Sequence, residues 1–249
     1  MKKSLIQFSS LLGKELRHAF FSPIAFCSGL FFLFGIGIPF FLFGANLSAS
    51  ESGFRQYISR IPYISAIVVS VLTMGLWSDE RKAGTEHILL GLPVHDYILV
   101  LGKFFSVLII YLIMILLTLP MILLAPIFAS AQTYISPGIG AVVSAYAFIL
   151  LFSGASISVG LFFSVLFSNS IVSFILTISS LLFLDTVQIL PQTFLLPEFV
   201  TLIATRLSFA WHLESALRGV LDSRDIFFYL LPCIGVLYAT TIIVRNRRV

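Results

Sequence analysis

Charge is what this chain has least of. Asp, Glu, Lys and Arg make up 10% of its 249 residues against 59% hydrophobic ones, and the mean hydropathy is +1.07. Soluble domains carry about a quarter charged residues. No globule of this size has an interior large enough to hide so much apolar surface. The composition therefore excludes a water-soluble protein and points to a single polytopic membrane domain over residues 1–249. Cysteine is scarce too. Cys27 and Cys233 lie inside apolar runs far apart in sequence, which fits small buried residues better than a disulfide. Catalytic signatures are missing: there is no HExxH, no GxSxG and no cluster of Cys with His. Of His18, His87, His95 and His212, only His87 and His95 share a loop, too few ligands for zinc. Gly102-Lys103 is not a phosphate loop, because Tyr97 stands where its first glycine belongs and Phe104 where Ser or Thr is needed. The chain is thus expected to be no enzyme by itself and to hold no nucleotide, metal or other cofactor of its own. Its net charge of +4 suits basic residues gathered at one membrane face better than nucleic acid.

What is present is a series of long apolar runs. Residues 1–20 carry Leu5, Phe8, Leu12, Leu16 and Ala19 at helical spacing, flanked by Lys14, Glu15, Arg17 and His18. This predicts an amphipathic helix lying in the headgroup region, an uncleaved anchor rather than a signal peptide. Ser22-Pro23 is a helix start, with Ser as cap and Pro in the first turn. Six spans are expected: residues 23–43, 61–77, 97 to between 117 and 128, 139–167, 171–190 and 226–244. Asn46 to Tyr57 and Ala129 to Gly138 read as short loops, and Ser168-Asn169-Ser170 as a tight turn. Residues 191–225 mix apolar with charged residues and read as one or two extracytoplasmic interfacial helices. Six spans put both termini on one side. Lys2, Lys3, Lys14, Arg17, Arg81, Lys82, Lys103, Arg245, Arg247 and Arg248 share that side, which the excess of basic residues marks as cytoplasmic.

Two helix faces are rich in small residues. Ser153, Ser156, Gly160 and Ser164 recur at spacings of three and four, as do Ser170, Ser173, Thr177 and Ser180. Helices in lipid associate through faces that let backbones approach, so these stripes predict a closely packed hairpin of the fourth and fifth spans. A polar substrate pathway is the other reading of the same hydroxyls. Asp185, beside Thr186 and Gln188, is the acid set furthest into an apolar run. It is either a functional intramembrane carboxylate or a hydrogen-bonded helix end.

The densest charge lies in residues 79–96, between the second and third spans. Asp79-Glu80-Arg81-Lys82 leaves the membrane, Gly84 permits a sharp turn and Thr85 is placed to cap. Glu86 follows in the first turn of a short helix, where the dipole favours an acid. Ile88, Leu89, Leu90 and Leu92 make its end oily, and Gly91 with Pro93 stops it. Such a stub either fills a partner's groove or folds back on the bilayer surface.

The pattern Asp79-Glu80-Arg81-Lys82, Gly84-Thr85, Leu89-Leu90, Pro93 and then Gly102-Lys103-Phe104 resembles the cytoplasmic loop of ABC-2 type permeases. The nearest branch is that of gliding-motility-associated and copper-enzyme-maturation permease subunits. Leu207-Ser208-Phe209 to His212, with Arg218-Gly219-Val220-Leu221-Asp222-Ser223-Arg224-Asp225, is similar to a segment before the last span in that branch. Val94-His95-Asp96 departs from the family's small hydroxyl cap, although Asp96 can cap in its place. The resemblance implies a type V exporter-like subunit in a bacterial inner membrane. It pairs with a second permease subunit, identical or related, and docks a cytoplasmic ABC ATPase that binds ATP and Mg. Gly84, Thr85, Glu86, Ile88, Leu89 and Leu90 would touch that ATPase as a coupling helix, with Arg81 and Lys82 at the rim. Motion of the loop would rearrange spans one, two and five, for export or for work on an extracytoplasmic accessory protein. An ion-coupled carrier built on Asp185, or a membrane anchor recruiting a soluble partner, are the competing classes.

Overall fold

The computed structural model describes residues 2–44, 52–91, 93–121, 138–189, 191, 197–216 and 222–248. Those residues form α-helices and no strand. In chain order the helices are α1 (Lys2–Phe20), α2 (Pro23–Gly44), α3 (Ser52–Thr73), α4 (Ser78–Lys82), α5 (Glu86–Leu90) and α6 (Asp96–Leu116). The second half supplies α7 (Ile139–Leu166), α8 (Ser170–Thr186), α9 (Glu198–Leu207), α10 (Phe209–Ala216) and α11 (Ser223–Arg247). Backbone polar groups have no water to bond in hydrocarbon, and a chain this apolar satisfies them inside helices.

Among the described residues four stretches are long and apolar enough to cross a membrane: Ile58–Lys82, Asp96–Met121, Ile139–Leu166 and Ser223–Arg247. Ile6–Phe20 and Pro23–Pro39 meet at 67° and make a fifth if counted as one broken span. The 17 residues of α8 are apolar but fall short of that length. The protein is therefore a helical membrane protein with four or five candidate spans by length and composition.

Local chemistry sets several boundaries. The Ser22 hydroxyl accepts from the Ile24 amide at 3.3 Å, as the Ser-Pro start predicts. The Asn169 side chain accepts from Ile171 and begins α8; that of Asp222 accepts from Arg224 and begins α11. The expected loop from Asn46 to Tyr57 is shorter than read, because the helix already starts at Ser52. The third span keeps its helix to Leu116 and then turns before Pro120; the expected loop from Ala129 lies outside the described residues up to Gly138.

Helix α7 is the centre of the bundle, packed by α3, α6, α8, α10 and α11. At its α10 end an aromatic cluster fills the core. Phe152, Phe209 and Tyr229 meet edge to face at centroid distances of 5.5–6.2 Å, and the Tyr229 hydroxyl donates to the Phe209 carbonyl at 2.6 Å. At the other end α1 lies along α6, with the Phe8 ring edge-on to Phe105 at 6.0 Å. Glycine at position 102 eases that approach, since a Cβ there would stand 2.8 Å from Leu11 Cδ2 and the leucine would have to shift. The amphipathic stripe of α1 is thus spent in part on the protein itself: Leu11, Leu16 and Ala19 pack against the core.

Candidate functional site

The loop of residues 79–96 is tied to both ends of the chain at one end of the bundle. Met74 to Trp77 carry the backbone out of α3, and the Ser164 hydroxyl of α7 fixes this bend. It donates to the Met74 carbonyl at 3.1 Å and accepts from the Trp77 amide at 3.0 Å. Trp77 is fully buried, with the Lys103 ammonium 5.0 Å from its ring centre. Lys103 sits in the apolar helix α6 at 2% exposure. Its ammonium donates to the Leu76 carbonyl at 2.7 Å and to Glu80 Oε1 at 2.8 Å, and it faces Glu15 Oε2 of α1 as a looser ion pair at 3.8 Å. One buried cation thereby joins α1, α4 and α6.

Beyond α4 the chain reverses at Gly84, whose φ of 72° only glycine adopts freely. The Thr85 hydroxyl donates back to the Glu80 carbonyl at 3.1 Å and does not cap α5, which corrects the expected cap. The hydroxyl finds the nearer acceptor that the Gly84 turn presents. Helix α5 is the five-residue stub that the sequence predicts. Glu86 is 7% exposed and held by two guanidinium groups. Arg81 Nε lies 2.9 Å from its Oε2, and Arg247 Nη1 of α11 lies 3.4 Å from its Oε1. Arg81 also donates to the Val165 carbonyl at 2.6 Å, meeting an orphan acceptor at the C-terminus of α7. Next to it, Arg248 Nη1 donates to Asp96 Oδ1 at 2.6 Å and to the Val94 carbonyl at 2.7 Å. Asp96 is therefore an ion-pair partner rather than the cap of α6; the capping position is His95, without a side-chain bond. Gln7 of α1 closes the ring by donating to the Pro93 carbonyl at 3.2 Å.

The stub has a buried foot and an exposed crest. Leu89 and Leu90 are 7% and 6% exposed and belong to the core, whereas Ile88 is 71% exposed. Lys82, Gly84, Thr85 and His87 stand exposed beside Ile88. The sequence leaves this stub either in a partner's groove or folded back on the bilayer surface; among the described residues Leu89 and Leu90 face the chain's own core and Ile88 points out. Leu92 lies outside the described residues.

The small-residue stripes lie inside the bundle. Ser153, Ser156, Ser164, Ser173 and Thr177 are fully buried. Ser153 donates to the Leu150 carbonyl and Thr177 to the Ser173 carbonyl, both at 2.7 Å, and Ser156 to Phe152 at 2.9 Å, all within their own helices. A Cβ at Gly160 would run into the Thr73 side chain, so this glycine sets the approach of α3 to α7. Sequence reasoning missed the anchors Glu15, Lys103, Asp96, Arg247 and Arg248 as partners. Lys103 carried the clearest signal, a cation within an apolar run that requires an acid nearby.

At the opposite end, His212 and Asp225 come together from the second family-like segment. Asp225 Oδ1 lies 2.6 Å from His212 Nδ1, the Arg206 carbonyl lies 3.1 Å from Nε2, and the imidazole stacks on Phe228 at 3.8 Å. This pair ties α10 to the start of α11. Asp185 is fully buried and neither of its oxygens has a hydrogen-bond partner among the described residues, unlike the hydrogen-bonded helix end that the sequence allows. No protein-family model matches the chain, and no curated protein matches it in sequence.

Proposed function

We propose that this chain is the membrane-spanning permease subunit of an ATP-driven ABC transporter of the ABC-2 type. It lies in a bacterial inner membrane with six spans and both termini cytoplasmic. In the six-span count α2 and α8 each cross. A separate ATPase subunit binds ATP and Mg, and a second permease subunit, identical or related, completes the membrane part. The crest of the stub, Lys82, Gly84, Thr85, His87 and Ile88, is the contact surface for that ATPase. Arg81, Glu86, Leu89 and Leu90 hold the crest from behind.

The observation that carries this reading is the anchoring of α5. Glu86 pairs with Arg81 and with Arg247 of α11 while Ile88 stands free. A push on Ile88 is transmitted through Glu86 to α11 and through Arg81 to the end of α7. A lever gripped on one side and bare on the other suits a part that receives force from a partner. The test is purification of the tagged chain from its native membrane with its soluble partners. Recovery of a P-loop ATPase with the wild type, and its loss on Ile88→Asp with the membrane chain still folded, is the expected result. Recovery of the chain alone under every mild solubilisation would refute the assignment.

A further inference from the structure

Asp185 lies one residue before the end of α8, on the inward face that also carries Ser173, Thr177 and Leu181. That face packs on α3, α7 and α10. The carboxyl is fully buried, and neither oxygen has a partner among the described residues. Neighbouring donors are committed elsewhere. The Thr186 hydroxyl donates to the Leu182 carbonyl at 2.7 Å, the Tyr111 hydroxyl bonds Ser65, and that of Tyr229 donates to Phe209. Tyr63, Tyr111 and Tyr229 lie within electrostatic reach of the carboxyl, from three different helices, and none donates to it. Among the described side chains, the other ionisable groups on the packed elements lie elsewhere or are held by other partners. Arg60 stands one turn before Tyr63 on α3; the Tyr146 hydroxyl of α7 bonds Thr118; His212 of α10 is held by Asp225 of α11; and the charges of α4 belong to the far end of the bundle.

An ionised carboxylate in such a place has lost its water and gained no donor, whereas the neutral acid avoids most of that cost. We propose that Asp185 is an occluded proton-binding site: its carboxyl carries a proton while α8 is packed against α3 and α10, and releases it when that packing opens. The ligand is a proton because the carboxyl is sealed from solvent, and the neutral acid is the species whose charge needs no partner. The proposal rests on the interior of the bundle and not on the ATPase reading, so either can fail alone.

The closed state then binds one proton more than the open or unfolded state. Stability falls as pH rises wherever the folded form holds more protons than the unfolded one. The test is made on the full chain in lipid nanodiscs, with aspartate labelled by 13C at the side-chain carboxyl. At neutral pH the infrared spectrum should show a labelled carboxylic-acid C=O band that is lost in Asp185→Asn. It should also be lost in Asp185→Glu, which keeps the acid but removes it from the labelled set. Raising the pH should convert the band to carboxylate and lower the melting temperature of the wild type. In Asp185→Asn, neutral at every pH, the melting temperature should lose that slope. A labelled spectrum with carboxylate alone, or the same pH slope in Asp185→Asn as in the wild type, would overturn the proposal.

Discussion

Glu86 and Ile88 are two residues apart on a five-residue helix, yet burial and exposure give them opposite tasks. Ile88 touches too little of the chain to matter for folding. Ile88→Asp should leave thermal stability within about 0.5 kcal/mol of wild type, as for other exposed sites, while abolishing co-purification of the proposed ATPase partner. Leu89→Asp is different, because Leu89 is 7% exposed and a buried unpaired carboxylate is costly. It should reduce the folded yield in the membrane, so its loss of function would say nothing about coupling. Glu86→Gln keeps the shape of the side chain and weakens its hold on Arg81 and Arg247. Both partners are partly solvated, which limits the cost to about 1 kcal/mol. On the proposed function, the partner ATPase should still bind but no longer respond to substrate, a separation seen by comparing pull-down with stimulated ATP hydrolysis. Lys103 faces the harder constraint. Lys103→Met strands Glu80 and leaves the Leu76 carbonyl without its donor, and should destabilise by about 3 kcal/mol. Adding Glu80→Gln should recover part of that loss in denaturant titrations of the purified protein.

The elements show which features can be read from a sequence and which cannot. The Gly84 reversal, the stub at Glu86–Leu90 and the helix start at Ser22 follow from local chemistry, and the sequence announces each, whereas the side-chain caps at Asn169 and Asp222 go unread and the last helix begins at Ser223 rather than at 226. The facing of the stub does not follow. A run of leucines beside charges fits a partner's groove as well as the chain's own core, and only tertiary packing decides. The environment of Asp185 is illegible for a similar reason. A 17-residue helix rises only about 26 Å, less than a hydrocarbon core of about 30 Å, so its end is drawn inside the protein. Sequence position near the end of an apolar run therefore left two readings of Asp185 open, and only the packing of α8 separates them. Helix α1 offers a test at this scale. Gly102→Leu would force α1 away from α6, at a cost of about 1–3 kcal/mol for overpacking. Trimming the opposing side chain with Leu11→Ala in the same protein should restore most of it. A disulfide trap between cysteines at positions 8 and 105, whose rings meet in the wild type, should form readily in the parent and in the double variant and poorly in Gly102→Leu.

At the scale of the whole molecule, the bonds at the loop constrain topology more tightly than residue counts do. Glu15 of α1 and Glu80 of α4 share Lys103; Arg247 reaches Glu86, and Arg248 reaches Asp96. The N-terminal helix, the loop and the C-terminal arginines therefore occupy one end of the bundle whatever the number of spans. His212, Asp222 and Asp225 occupy the other, at the far end of the 25-residue helix α11, which rises about 38 Å. Basic residues gather at the first end, and retention of Lys and Arg on the cytoplasmic side is the ground for proposing that this end faces inward. In a background with Cys27→Ser and Cys233→Ala, a cysteine replacing the exposed Lys82 should react with a membrane-impermeant maleimide only in inside-out vesicles. One replacing the exposed Arg224 should react only in right-side-out vesicles. The two positions test separate links. Reversal of both would keep the fold and move the crest of α5 out of reach of any cytoplasmic ATPase, ending the transporter assignment. Labelling of both from the same side would break the fold reading itself, because α11 would then not cross. Only the opposed pattern, with residue 82 inside, leaves the stub where an ATP-driven partner can grip it.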